Sequence, residues 1–281
     1  MTDLDPGDAA VIAAVPEQVA GYVTAVGGAR LCRFGTCVGY RYEGQVVLVG
    51  YPLHDPRDEV AMAAAVDQAL ALPGLRRITV LGPARPPQAP PNAVEVRDRY
   101  VGLTVPLRPG AKLRNLLRRA AREVAVTSGQ ECTADHTALI ARYLDERAFD
   151  AGTRHIFGCI ARYVRSVSSA RVVSARRTDG RLAGFAVGEF ASRHTAFYMF
   201  SFRNADLAPP GCADLLLARL LEEAAARGQT YMNLGLGVNA GVAFFKRKWA
   251  AEPFLPYVDV SWDLRAPSLR TRIGRLLGIS K

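Results

Sequence analysis

HTAFYMFSFRNADLAPPGCADLLLARLLEEAAARGQTYMNLGLGVNAGVAFFKRKW, residues 194–249, decides the fold class. Its first ten residues are rich in aromatic side chains and read as a strand. NADLAPPGCA (204–213) carries the proline and glycine of a loop. DLLLARLLEEAAARG (214–228) is an amphipathic helix that stops at Gly228, a residue suited to the left-handed position past a helix end. YMNLGLG (231–237) reads as a buried strand, and NAGVAFFKRKW (239–249) as a short helix capped by Asn239. Strand, loop, helix, strand and helix in that order place the chain in the α/β (α+β) class.

The pattern extends in both directions. RLAGFAVGEFAS (181–192) pairs with 194–203 as a hairpin turned at Ser192-Arg193, RVVSARR (171–177) is a third strand, and 253–263 is a last one. Upstream, KLRNLLRRAAREV (112–124) reads as a basic helix. A second helix, capped by Thr133 or Asp135, runs to about Phe149, and a third lies around 155–167. The first part is compact. CVGYRYEGQVVLVG (37–50) reads as two strands turned at Glu43-Gly44, Asp58–Leu72 as a helix, and Arg77–Leu81 and Val94–Leu107 as strands around a proline loop. The two parts have similar α/β content without a direct repeat, which predicts a structural duplication. Expected boundaries are 1–105, 106–265, and a basic amphipathic tail over 266–281.

With 281 residues the chain can bury a full core without staples. Its 49% apolar and 22% charged residues exclude a mostly disordered chain. No run approaches the ~18 apolar residues of a membrane span. The acidic start lacks the order of a signal peptide, so a cytoplasmic location is expected. Five cysteines form no CxxC and four histidines no HExxH, so no metal is expected. Net charge is uneven: residues 1–110 hold 10 Lys/Arg against 11 Asp/Glu, and 111–281 hold 26 against 15. The basic half is either a solvated surface or the field for a polyanion such as RNA.

Several motifs carry chemistry, each with a plainer alternative. GLGVNAG (235–241) has GxGxxxG spacing, not the GxGxxG of dinucleotide folds. Its N–H groups either hold an anion or acyl oxygen, or simply turn the chain. In APPGCADLLLARL (208–220), Gly211 and Ala213 allow a phosphate to approach a helix start, or they make an ordinary loop. In AFFKRKWA (243–250), Lys246 and Trp249 share a helix face while Arg247 points elsewhere; with Lys248 they form either a solvated cluster or a cation beside the glycine turn. Arg114, Arg118 and Arg122 fall on one ridge of a basic helix with Arg119 to the side, and a polyanion would relieve their repulsion. Glu189 is either a half-buried base for an amine or a strand-end carboxylate facing solvent. There is no GxSxG.

The order RNLLRRAAREVAV, AFYMFS, LLLARLLEEAAARG, YMNLGLG, GVAFFKRKWA resembles the FemAB-like peptidoglycan-bridge aminoacyltransferases and the catalytic region of phosphatidylglycerol lysyltransferases, both of the GNAT superfamily. The resemblance covers roughly residues 95–262, and VGYRYEGQVVLVGYPL (38–53) is similar to the first half of the lysyltransferase branch. It implies two tandem GNAT-like subdomains, each a mixed, mostly antiparallel sheet flanked by helices, with the active site near their interface. It also implies catalytic roles for Phe245 and Lys246, with Tyr198 and Ser201 on the acceptor side. Glu189 joins Lys246, Phe245 and Tyr198 as a catalytic candidate. Asn233, Gly235, Gly237, Asn239 and Trp249 are the candidate substrate contacts, and Arg114, Arg118, Arg119, Arg122, Arg247 and Lys248 the candidate tRNA contacts. The family's CoA pyrophosphate loop survives only as Pro-Pro-Gly-Cys-Ala (209–213), and the long helical arm of the bridge-forming enzymes is missing.

The expected function is amide formation from aminoacyl-tRNA onto an amine-bearing small molecule, peptide or cell-wall precursor. Aminoacyl-tRNA is a co-substrate and no cofactor is expected. Alternatives are an acyl-CoA-dependent N-acyltransferase, a non-catalytic RNA-binding module, and aminoacylation of an anionic lipid with the tail as anchor. DNA is not an expected partner, and a membrane surface is a secondary one.

Overall fold

The computed structural model describes residues 6–237 and 239–264. The expected basic tail at 266–281 lies outside them. In chain order the elements are α1 (Pro6–Val11), a 3-10 turn (Pro16–Gln18), α2 (Ala20–Gly27), β1 (Arg30–Phe34), β2 (Cys37–Tyr42), β3 (Gln45–Val49), α3 (Glu59–Leu70), β4 (Arg77–Gly82) and β5 (Val94–Thr104). Then follow α4 (Ala111–Ala120), β6 (Val124–Gly129), α5 (Ala134–Asp145), α6 (Ala151–Gly158), α7 (Ile160–Ser166), β7 (Ala170–Arg177), β8 (Leu182–Glu189) and β9 (Thr195–Arg203). The chain closes with α8 (Cys212–Ala226), β10 (Tyr231–Asn233), α9 (Ala240–Lys248) and β11 (Glu252–Asp263).

The strands described form one mostly antiparallel sheet in the order β1-β2-β3-β4-β11-β5-β10-β9-β8-β7-β6. Two neighbouring pairs are parallel, β3 with β4 and β9 with β10, and each is joined through a crossover helix, α3 or α8. β11 returns from the end of the described chain to lie between β4 and β5, so the sheet runs unbroken from one half to the other. The β2–β3 hairpin turns at Glu43 and Gly44, with φ of 44° and 76°, as the Glu-Gly pair predicts.

Alternating residues build the layers. Val46, Leu48, Ile78 and Val80 face α3. In the second half Val173, Ala175, Ala183 and Ala186 pack on α8, while Val172, Leu182, Phe185 and Val187 face α2, α5 and α7. Helices therefore cover both faces of that half, and its central strand β8 is buried along its whole length. Two expectations need correction. The basic helix ends at Ala120, and Val124–Gly129 is the edge strand β6, because VAVTSG alternates while a helix has no use for its β-branched run. The strand expected over 231–237 stops at Asn233.

Candidate active site

The early stop of β10 makes the site. β9 and β10 pair only through Thr195–Phe197 and Tyr231–Asn233. Leu234 then donates its N–H to Val101 O at 2.8 Å, and Val101 N–H returns to Gly235 O at 3.1 Å. The chain thus stays with β5 and leaves β9. A cleft of about 460 Å³ opens beside the free part of β9, between Tyr198, Ser201, Leu236, Gly241, Phe245 and Lys246. This volume falls within the usual range of about 300–1,000 Å³ for small-molecule sites.

The turn beyond Asn233 is held by side chains. The Asn233 amide accepts from Gly235 N–H at 2.7 Å and donates to Ala14 O at 3.1 Å. Gly235 adopts φ +78°, a conformation that L side chains rarely adopt. Gly237 donates its N–H to Asp98 Oδ2 at 2.9 Å, and Asn239 caps α9 by accepting from Val242 N–H at 3.0 Å. The amides of Gly235 and Gly237 are therefore occupied within the turn.

Lys246 comes from the last turn of α9 and is 4% exposed. Its Nζ donates to Gly235 O at 2.7 Å and Leu236 O at 2.6 Å. An ammonium has three donors, so one remains for the cleft that Lys246 lines. Burial lowers its pKa to about 8, against the opposing pull of the Asp98 carboxylate. Tyr198 stacks on Phe245 with ring centroids 6.2 Å apart, and burial raises its hydroxyl pKa while a hydrogen bond with Ser201 opposes the shift. The structure thus brings together Lys246, Phe245, Tyr198, Ser201, Gly235 and Ala213 around one cleft.

Other candidates go elsewhere. Glu189 does not line the cleft. It is fully buried at the end of β8, where it accepts from the Tyr163 hydroxyl and from the N–H groups of Phe190 and Ala191. Neither reading of it made from the sequence, base or solvent-facing, describes that role. Trp249 is 2% exposed and donates its indole N–H to Asp214 Oδ1 at 2.9 Å, in the core rather than at the substrate. Lys248 pairs with the same carboxylate at 2.6 Å. Gly211, with φ +88°, touches α4: a Cβ there would meet Leu116 Cγ at 2.7 Å, which accounts for the glycine without a phosphate. Arg114, Arg118 and Arg119 stand exposed on α4, and Arg247 is exposed on α9. Arg122 lies past the helix end and leaves the expected ridge. Among the described residues, none of the four arginines in 114–122 has a carboxylate partner within ion-pair distance.

Two residues went unread in the sequence. Asp98 reaches the turn from 139 positions away, a contact no local pattern announces. Asp214 reads as an ordinary acid in the first turn of a helix. Among the described residues, no cluster of three or more His, Cys, Asp or Glu side chains could hold a metal ion, and no helix is long and apolar enough to cross a membrane.

A buried cation in a splayed cleft, with a stacked tyrosine opposite, can stabilise an oxyanion. Known proteins share the sequence pattern and the fold of this chain. Residues 103–271 match the family described as phosphatidylglycerol lysyltransferase, C-terminal. Among solved structures, a C-terminal DUF2156 domain from Agrobacterium fabrum, assigned to a lysylphosphatidylglycerol synthetase, is similar with TM-score 0.58 at 17% identity, covering 90% of this chain and 89% of that one. FemX is similar with TM-score 0.62 at 9% identity, over 98% and 99%. A GCN5-related N-acetyltransferase from Kribbella flavida is similar with TM-score 0.52 at 16% identity, over 94% and 98%. At these identities the shared property is the GNAT fold. No curated protein matches the chain.

Proposed function

The chain belongs to the phosphatidylglycerol lysyltransferase C-terminal family, and from that footing we propose that it transfers an aminoacyl group from aminoacyl-tRNA to an amine-bearing small molecule, peptide or cell-wall precursor. The observation that carries the reading is Lys246, buried at the open end of the β9–β10 cleft with one donor to spare. The acceptor amine, unprotonated, adds to the ester carbonyl carbon. The carbonyl oxygen becomes an oxyanion, and Lys246 Nζ–H donates to it. The C–O ester bond then breaks, the ribose oxygen leaves with the proton lost by nitrogen, and an amide remains. With a pKa near 8, Lys246 is about nine-tenths protonated at pH 7 and fit to donate. Positioning supplies much of the remaining rate.

The exposed arginines of α4 provide a basic surface on which tRNA phosphates can be neutralised. A CoA donor is less well served by the 209–213 loop: Gly211 is filled against Leu116, and the Asp214 carboxylate sits in the first turn of the helix that would meet the pyrophosphate.

The test is donor discrimination. The protein is incubated with mixed aminoacyl-tRNAs, then with acetyl- and longer acyl-CoAs, each with a panel of amines and with anionic vesicles. Loss of the ester or thioester is followed, with Lys246→Met in parallel. Consumption of an aminoacyl-tRNA that the variant lacks supports the proposal. Turnover of CoA thioesters alone overturns the donor, and RNA binding without Lys246-dependent turnover overturns the catalytic reading. Product in the vesicles instead of the amines overturns the acceptor.

A further inference from the structure

The cleft wall also bears on what is transferred. Besides Lys246, the lining includes Met199, Phe200 and Phe202 of β9, Tyr143 of α5 and Phe157 of α6. The rings interlock edge to face: Tyr143 and Phe202 are 5.2 Å apart at 89°, and Phe157 and Phe202 are 5.4 Å apart at 85°. Such packing is favoured between aromatics and makes a shaped, apolar surface. Among the described residues that line the cleft, the charged side chain is Lys246, a cation, and no carboxylate joins it.

A lysyl or arginyl side chain carries a positive charge that must be paired when it leaves water. Aromatic faces can hold cations. Here, though, Tyr143 already carries the Arg147 guanidinium 4.0 Å from its ring centroid and stacks on Phe149 at 5.5 Å. Phe202 is stacked on Phe185 at 5.0 Å. A second cation entering this wall meets engaged rings and the field of Lys246. An uncharged aromatic or branched aliphatic side chain meets none of these costs and gains burial.

We propose that the acyl group transferred at this cleft is uncharged and apolar, an aromatic or branched aliphatic aminoacyl group in place of a basic one. This rests on the reading of Lys246 as the transfer site. It concerns other residues of the cleft lining, so the two can fail separately.

The test compares phenylalanyl-, leucyl-, lysyl- and arginyl-tRNA as single donors, scored by kcat/KM for Lys246-dependent ester loss. The expected result is at least a roughly tenfold preference for the phenylalanyl or leucyl donor over both basic ones, a gap within reach of a hydrophobic pocket. Placing a carboxylate in the wall, Phe157→Glu, should shrink that preference by about tenfold or reverse it. Met199→Glu serves the same purpose if the first variant does not fold. Equilibrium binding of phenylalaninamide and lysinamide to the unsubstituted protein is measured by calorimetry as a readout independent of turnover. Equal or better use of lysyl-tRNA, or equal or tighter binding of lysinamide, overturns the inference and leaves the transfer reading standing. Ester loss that does not depend on Lys246 overturns the transfer reading, and the inference with it.

Discussion

Each half of the sheet leads an antiparallel hairpin into a crossover helix and back to a strand parallel with the last. The two parallel pairs then end differently. β3 and β4 stay in register from Gln45–Arg77 to Val49–Leu81, and Gly50 N–H continues the ladder to Leu81 O at 2.6 Å. Met62 of α3 lies across the end of the pair: a Cβ on Gly50 would meet its Cγ at 2.9 Å, and one on Gly82 its Sδ at 2.7 Å. The Tyr51 hydroxyl sits 3.0 Å from Gly82 O and 2.8 Å from Pro256 O. At the corresponding place in the second half, β10 follows β5 away from β9 and the space stays open. One topology therefore yields a plugged seam or a cleft. The difference lies in whether the pair stays together beneath a helix side chain or one strand turns away to another partner.

Breaking the open half should have the largest effect. Lys246→Met keeps the length and apolar stem of the side chain and removes the donors. Loss of one oxyanion donor costs about 10²–10³ in kcat. Single-turnover ester loss measures this, and an unchanged circular dichroism spectrum shows that the fold is kept. A drop of less than about tenfold would mean that the cleft's chemistry lies with another group.

Breaking the plugged half should cost stability and leave catalysis alone. Met62→Ala empties a side chain that is 1% exposed, and large-to-small changes of this kind cost about 2–5 kcal/mol. Urea unfolding measures the loss, and kcat at a temperature where the variant is folded should match the parent. A parallel fall in kcat would show that the seam of the first half also serves the reaction.

This contrast also marks how far the sequence could be read. The strands at 37–49, 77–82 and 195–203 and the helices at 59–70 and 212–226 follow from periodicity and turn residues, and they suffice for the α/β class. Lys246 was legible as a cation beside a glycine turn and Phe245 only through the family resemblance, and the structure puts both on the cleft. The cleft itself was not legible. It depends on Leu234 choosing β5 over β9, a competition between two distant strands. Glu189 was misplaced because its partner Tyr163 lies 26 residues away on a helix whose packing the pattern does not reveal. Trp249 shared a helical face with Lys246 on paper, but α9 ends at Lys248, and the indole turns to Asp214.

The Asp214 contact sharpens the comparison on the open side, where α9 is held to α8. Asp214→Asn retains an oxygen for Trp249 and removes the charge facing Lys248. Hydrogen bonds to charged groups are worth about 1.5–3 kcal/mol, and Lys248 keeps contact with water, so a loss of about 1–2 kcal/mol is expected on urea unfolding. Because α9 also carries Lys246, kcat should fall by a small factor, while Met62→Ala leaves it unchanged.

The effect expected to be smallest at neutral pH is the titration of Lys246. Lys246 acts as a donor in its charged form, and its pKa is lowered to about 8 by burial. Below that pH the side chain is protonated, and the parent should exceed Lys246→Met by its full factor. As pH rises through about 8 the ammonium loses its proton, and the ratio of parent to variant should fall, by about twofold at pH 8 and about tenfold at pH 9. Taking the ratio cancels the deprotonation of the acceptor amine, which raises both rates together. Had the lysine kept the ordinary value of an exposed ammonium, the ratio would stay flat to about pH 10. The position of the fall therefore reports the burial that the parted strands impose on this residue, and a flat ratio would show that in solution the cleft admits more water around Lys246 than its 4% exposure allows.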